Sequence, residues 1–222
     1  MFEHHVVQLS YEFNGGFTSD VGHTLGRSGF AMSMMDEGAA EPNALEFGKQ
    51  AESLGARLSA SASLDGSSAS LSALKEKLEP SLSLYAKMIR HPRFDQKGID
   101  RIKASWIANI AQEKAQPQAV ASRGLPTLLY GKGHPYAIPF SGSGTEESIK
   151  SLTHDDLAAY QNAWVRPENA TLIVVGDTTL AEIVSLLNKH FWDWKGEGQA
   201  AVRALIGLAS DGIKSPLTTL KD

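Results

Sequence analysis

Cysteine is missing from all 222 residues of this chain, which removes disulfides, thiolate metal sites and cysteine nucleophiles together. That absence does not fix a compartment, because cysteine-free chains are at home in cytosol and periplasm alike. Long apolar runs are missing too. Segments such as Leu172-Ile173-Val174-Val175 fall far below the ~18 residues needed to cross a bilayer. There is no excess of basic charge: the net charge is −4 with both signs dispersed, so the electrostatic footprint of a nucleic-acid binder is lacking. Repeats and low-complexity blocks are also absent. No signal-peptide pattern opens the chain, since Met1-Phe2-Glu3-His4-His5 leads straight into a strand, as in a cytoplasmic protein or an internal piece of something longer. What is present is ordinary globular composition, with 42% hydrophobic and 21% charged residues. A chain of this length should bury roughly 70% of its extended-state surface, enough for a core without staples.

Periodicity divides the chain into short elements. Val7, Leu9, Tyr11 and Phe13 alternate with polar residues and predict a strand ending at Asn14-Gly15-Gly16. A helix is expected over about 26–37, apolar nearly all round at Phe30, Met32, Met34 and Met35 and therefore deeply buried. Another is expected over about 44–54, stopping at Gly55. Leu58, Ala60, Ala62 and Leu64 alternate with Ser59, Ser61 and Ser63, and Asp65-Gly66 turns the chain into a return strand carrying Ala69, Leu71 and Ala73 inward. Such small inward residues imply an element packed very close to this face. Three helices follow: one through Leu78, Leu82, Tyr85 and Ile89, one through Ile99, Ile102, Trp106 and Ile110, and one over about 119–129. Residues 130–150 read as a Gly/Ser/Pro-rich loop. Thr153 and Asp156 suggest a capped helix start running to Trp164. Thr171 to Val175 reads as a central strand buried on both faces. A last helix over about 180–191 sets Leu180, Ile183, Leu187 and Phe191 on one side. The order predicts an α+β fold: a mixed, largely antiparallel sheet covered by helices.

Several phrases in this order resemble the pitrilysin/insulinase metallopeptidases, which include the mitochondrial processing peptidases. They are Gly15-Gly16, the stretch from Gly26 to Gly38, Leu54-Gly55-Ala56 with its hairpin, and His91-Pro92-Arg93-Phe94. Gly133-His134-Pro135-Tyr136, Val165-Arg166-Pro167-Glu168-Asn169-Ala170 and Ile173-Val174-Val175-Gly176-Asp177 complete the set. The likeness covers about residues 6–195. In active members an H-x-x-E-H helix supplies two zinc ligands and a general base, because residues at i, i+3 and i+4 share one helix face. The resemblance sets Gly29, Met32 and Ser33 at those positions. It sets Asn109 at the third ligand, a glutamate in the family, and Ile102 at a supporting glutamate seven residues earlier. None of the five is a zinc ligand of the family type.

The resemblance therefore implies a non-catalytic domain over residues 1–195, with 196–222 as a tail or the start of a linker. It implies no cofactor in this chain, zinc being expected only in a partner half. The implied partners are a zinc-bearing homologous domain or subunit and a peptide substrate enclosed with it, with a homodimer as the other option. Nucleic acid and a membrane span are not expected. Two departures point to a fragment or a shortened gene product: the chain begins where the family enters its second strand, and Ala201 to Asp222 does not resemble the expected linker. The compartment stays open, periplasmic for part of a longer secreted peptidase and cytoplasmic otherwise. Substrate-binding residues stay unassigned.

Other signals read more simply as structure. His4 and His5 point to opposite faces of a strand, and His23, His91, His134, His154 and His190 lack the spacing of a zinc helix. A peptidase using such non-motif ligands, or a binding module that keeps the fold without proteolysis, are the alternatives. Gly26-Arg27-Ser28-Gly29-Phe30 falls one residue short of a nucleophile elbow and lacks the preceding strand. Ser141-Gly142-Ser143-Gly144-Thr145 precedes a helix like a phosphate loop but has no P-loop lysine. Trp106 and Trp164 read as core, and Trp192 and Trp194 as a cap on the domain.

Overall fold

A computed structural model describes residues 5–35, 37–39, 44–196 and 201. Its elements run β1 (Val6–Phe13), α1 (Arg27–Met35), α2 (Ala44–Leu54), β2 (Arg57–Ala62), β3 (Ser67–Leu74) and α3 (Leu78–Arg90). They continue with α4 (Gln96–Lys114), α5 (Pro117–Tyr130), α6 (Glu146–Ser151), α7 (His154–Trp164), β4 (Ala170–Gly176) and α8 (Leu180–Phe191). The four strands form one sheet in the order β2-β3-β1-β4. Every pairing is antiparallel, with Leu9 opposite Leu71 and Val174, and Ser10 opposite Ser70 and Ile173. The parallel component of the expected mixed sheet does not occur among the described residues.

The alternation in β1 fixes which face is covered. Val7, Leu9, Tyr11 and Phe13 are buried together with Ala69, Leu71 and Ala73 of β3. On that face α1 packs against β2 and α7, and α3 packs against β3 and α8. The small residue at Ala69 admits Tyr85 of α3, whose hydroxyl donates to the Ala69 carbonyl and accepts from the Tyr11 amide at 3.2 Å. The close approach expected from the alanine pattern is thus made by a phenol, and burial raises the pKa of that phenol above its ordinary value. A ring cluster of Tyr11, Phe13, Phe191 and Trp194 closes the same end of the core. Trp164 is buried as expected, whereas Trp192 stands 77% exposed and does not cover the core.

Helix caps carry the sequence logic into structure. Thr153 caps α7 and exchanges hydrogen bonds with Asp156, and Thr179 does the same with Glu182 for α8. The expected loop over 130–150 is shorter than anticipated because α6 begins inside it, capped by Thr145 with Ser148 as the reciprocal partner. A serine at that position is a weaker signature than the usual Glu or Gln. The last strand also departs from expectation. Among the described residues β4 is an edge, paired only with β1, and Ile173 and Val175 are 50% and 62% exposed. A continuous apolar run does not say which faces are covered, and among the described residues the helices take one face only. Leu180 likewise stands in solvent, being the first residue of α8, while Ile183 carries the packing. The tail over 202–222, with residues 197–200, His4 and Asp36, lies outside the described residues.

Met32 of α1 has no accessible surface. Replacing it with Glu leaves an unpaired carboxylate in an apolar core, which must ionise at high cost or take up a proton. We expect Met32→Glu to destabilise the fold by about 3 kcal/mol or more, the range for a buried unpaired polar group. Urea unfolding at neutral pH measures it, and a midpoint equal to that of the parent protein would refute the packing described for α1.

Candidate functional site

The site is the seam between α1 and α4, and its geometry starts upstream of α1. Gly26 enters the helix with φ +87°, a conformation that suits glycine. Asp20 then reaches over from the preceding turn: its carboxylate accepts the Gly26 amide at 3.0 Å, the Ser28 amide at 3.0 Å and the Ser28 hydroxyl at 2.9 Å. A negative group at a helix N-terminus satisfies orphan amides and complements the helix dipole. The Arg27 guanidinium stays buried beside it, 3.8 Å from the carboxylate and 5.8 Å over the Tyr160 ring, and donates to the Ser19 carbonyl at 3.2 Å. Burial pushes the Asp20 carboxyl up to about 6, against the opposing pull of its Ser28 and Gly26 donors and of Arg27.

Aromatic rings and a loop roof this helix. The space above Gly29 is bounded by the Phe17 ring, the Trp106 ring and the Gly142 carbonyl, each 3.4–3.6 Å from where a β-carbon would sit. Trp106 of α4 lies 5.4 Å from the Phe30 ring and donates its indole N–H to the Ser143 carbonyl at 2.9 Å. Gly142, at φ +64°, must stay glycine because the Phe17 ring fills the place of its side chain. Arg123 of α5 fastens the loop by donating to the Ser143 hydroxyl at 2.5 Å and to the Gly144 carbonyl, while pairing with Glu113. The Ser141 to Thr145 stretch is therefore a structural strap over α1, and two of its amides are already engaged, Gly142 donating to the Pro139 carbonyl at 3.0 Å and Thr145 to the Ser148 hydroxyl at 2.9 Å.

The five sequence-expected positions are only partly gathered. Gly29, Met32 and Ser33 share α1, and Trp106, which touches Gly29, lies on α4 between Ile102 and Asn109. Met32 is fully buried, the Ser33 hydroxyl donates to the Phe30 carbonyl at 2.8 Å, Ile102 packs against the core, and Asn109 is exposed. Chemically the set offers a missing side chain, a buried thioether, a committed hydroxyl, a hydrocarbon and an amide. It does not fit zinc, which takes imidazole, thiolate or carboxylate ligands. Among the described residues no three His, Asp or Glu side chains lie close enough to hold a metal ion. His5 pairs with Asp177 at 2.8 Å, His134 accepts the Tyr136 amide, and His154 sits beside Asp155. Ser28, the would-be elbow nucleophile, is bonded to a carboxylate and has no histidine partner.

The uncovered face of the sheet was not legible as a site. Ser10, Ser59, Ser61, Ser68, Ser70 and Ser72 point away from the helices, with cross-strand hydroxyl contacts of 3.1 Å (Ser10 with Ser70) and 3.4 Å (Ser61 with Ser68). A shallow groove of about 320 Å3 runs over Ser10, Ser59, Ser70 and Ser72, from Arg57 to Val175. The alternating serines were in plain view in the sequence, but only their inward neighbours carried a packing argument.

Comparison with known proteins bears on this arrangement. The family model described as Insulinase (Peptidase family M16) matches residues 3–139, and that described as the Peptidase M16 inactive domain matches residues 151–217. The chain is 24% identical over 194 residues to the non-peptidase homolog YmxG of Helicobacter pylori, covering 84% of this chain and 44% of that protein. Among solved structures, a peptidase M16 inactive domain from Pseudomonas fluorescens superposes with a TM-score of 0.82 at 28% identity, over 91% of this chain and 48% of that one. The periplasmic protease PqqL of Escherichia coli shares the fold, with a TM-score of 0.76 at 20% identity over 89% of this chain and 22% of that one. The chain thus spans less than half the length of each of these relatives.

Asp20 sets a pH dependence whose sign follows from its raised pKa. A carboxyl that holds its proton more tightly folded than unfolded adds stability below its unfolded value near 4, and that stability is lost as pH rises through about 6. Over this window the parent protein should lose on the order of 2–3 kcal/mol relative to Asp20→Asn, from about two units at 1.36 kcal/mol each. Chemical unfolding of both proteins from pH 4 to 7 reads the difference. Parallel curves would mean that Asp20 stays ionised throughout.

Proposed function

The chain belongs to the insulinase (peptidase M16) family as one of its inactive domains, and we propose that it acts as the non-catalytic half of such a peptidase, enclosing peptide substrate together with a zinc-bearing partner domain. The observation that carries this reading is the seam itself. Where the family resemblance sets two zinc ligands and a base, α1 presents Gly29, Met32 and Ser33, and where it sets acidic groups α4 presents Ile102 and Asn109. Aromatic rings and the strap close the space beside Gly29. On this reading residues 1–195 are one domain whose contribution is shape.

Enclosure draws on the one-sided sheet. Among the described residues all its helical cover lies on one face, leaving hydroxyls, Arg57 and the apolar pair Ile173 and Val175 on the other. Among the described residues β2 and β4 are both unpaired along one edge, and such edges accept an extended chain through backbone hydrogen bonds. Zinc, when present in the partner, supplies the Lewis acid and the activated water. This chain's residues supply a wall against which a peptide lies.

Elemental analysis of the purified chain should find no stoichiometric zinc, and the chain alone should leave peptides intact. Added to a zinc-bearing M16 chain from the same source, it should raise that chain's rate of peptide cleavage. One zinc per chain would overturn the non-catalytic reading. A partner equally active with and without this chain would overturn enclosure.

A further inference from the structure

The helix α5 presents the opposite polarity to that of an ordinary surface helix. Its inward side carries Ala119, Arg123, Pro126 and Thr127, and of all its residues only Pro126 is buried. Its outward half carries Val120, Ala121, Gly124, Leu125, Leu128 and Leu129 beside the small polar Gln118 and Ser122, with Val120, Leu125, Leu128 and Leu129 exposed by 50%, 48%, 83% and 63%. A surface helix normally turns polar residues outward. The patch continues into an aromatic knot at the end of the helix, where the Tyr130 ring stacks on His134 at 5.0 Å and meets Phe140 at 6.4 Å. The surface is also held firmly: Arg123 is tied to Glu113 and the strap, and the Thr127 hydroxyl donates to the Ala137 carbonyl at 3.2 Å.

Size and shape say what covers it. The exposed side chains from Val120 to Phe140 present on the order of 500 Å2 of apolar surface, near the top of the range for a monomer's largest patch. With a polar rim this approaches the ~800 Å2 per partner of a stable association. The one charge within α5 is Arg123, already paired with Glu113, and Lys132 lies past the end of the helix, so two identical helical stripes can meet without repulsion. At its middle Gly124 leaves a gap, with no atom within 4 Å of where a β-carbon would lie. We propose that two copies of this chain pair here, α5 antiparallel to α5 about a two-fold axis at Gly124. Each Leu128 then lies opposite Val120 of the other copy, and the helix backbones approach closely at the glycines. A two-fold interface requires such a self-complementary patch. The proposal does not depend on the enclosure of substrate.

The lack of cysteine makes the test direct. Gly124→Cys puts one thiol on the proposed axis, and Leu45→Cys puts one on α2 at a comparably open position, 68% exposed. Under a mild oxidant Gly124→Cys should convert to a covalent dimer on non-reducing gels while Leu45→Cys stays monomeric. In sedimentation velocity at micromolar concentrations the parent protein should be dimeric. The double variant Leu125→Glu, Leu128→Glu should be monomeric with an unchanged thermal midpoint. A monomeric parent, a dimer that survives both glutamates, or equal cross-linking at the two cysteines would each overturn the proposal. Should the glutamate variant fail to fold, the cysteine pair decides.

Discussion

One carboxylate holds the order of this molecule. Asp20 gathers the first amides of α1 and the Ser28 hydroxyl, and without it a fully buried helix would begin with unsatisfied donors in an apolar core. With α1 fixed, Gly29 lies under Trp106, Trp106 positions the strap at Ser143, and the strap in turn engages Arg123 of α5. A chain of contacts therefore runs from a turn after the first strand to a helix nearly a hundred residues later.

The second organising fact is asymmetry across the sheet. Among the described residues α1 and α3 pack on one side of the sheet, where Tyr85 is drawn in by the small Ala69 and the ring cluster around Tyr11 closes the end. The other side keeps serines and two aliphatics in the open. A domain arranged this way has a rigid back and an unfinished front.

Much of this was legible in the sequence because local rules agreed with tertiary packing. The alternation of Val7 through Phe13, the spacing of Leu78, Leu82, Tyr85 and Ile89, and the Thr153–Asp156 cap each specify one answer. What escaped had no local signature. The apolar run from Leu172 to Val175 does not record how many neighbours the strand has, and the short α6 is announced by Ser148 instead of a glutamate. Asp20 lies six residues before the first amide it accepts, so no capping pattern could have assigned it. The outward polarity of α5 was hidden for a different reason: leucines at helical spacing look the same whether they face a core or the solvent. Gly29, Met32, Ser33, Ile102 and Asn109 were picked out by family likeness alone, and the crowding around Gly29 could not be read from them.

The hydroxyl ladder on the open sheet face has a thermodynamic meaning of its own. Serines that contact one another across strands, as Ser10 does with Ser70, still have hydroxyl donor and acceptor capacity left for water. A surface of that kind gives up little apolar area when something lies against it, so its contacts stay wet and bridged. Association there would be driven by enthalpy, with a small heat-capacity change and little response to salt, since Arg57 is its one fixed cation. The leucine face of α5 sits at the other extreme: covering its exposed apolar area would release hydration water and give a large negative heat-capacity change. One small domain thus offers two surfaces that calorimetry alone can tell apart.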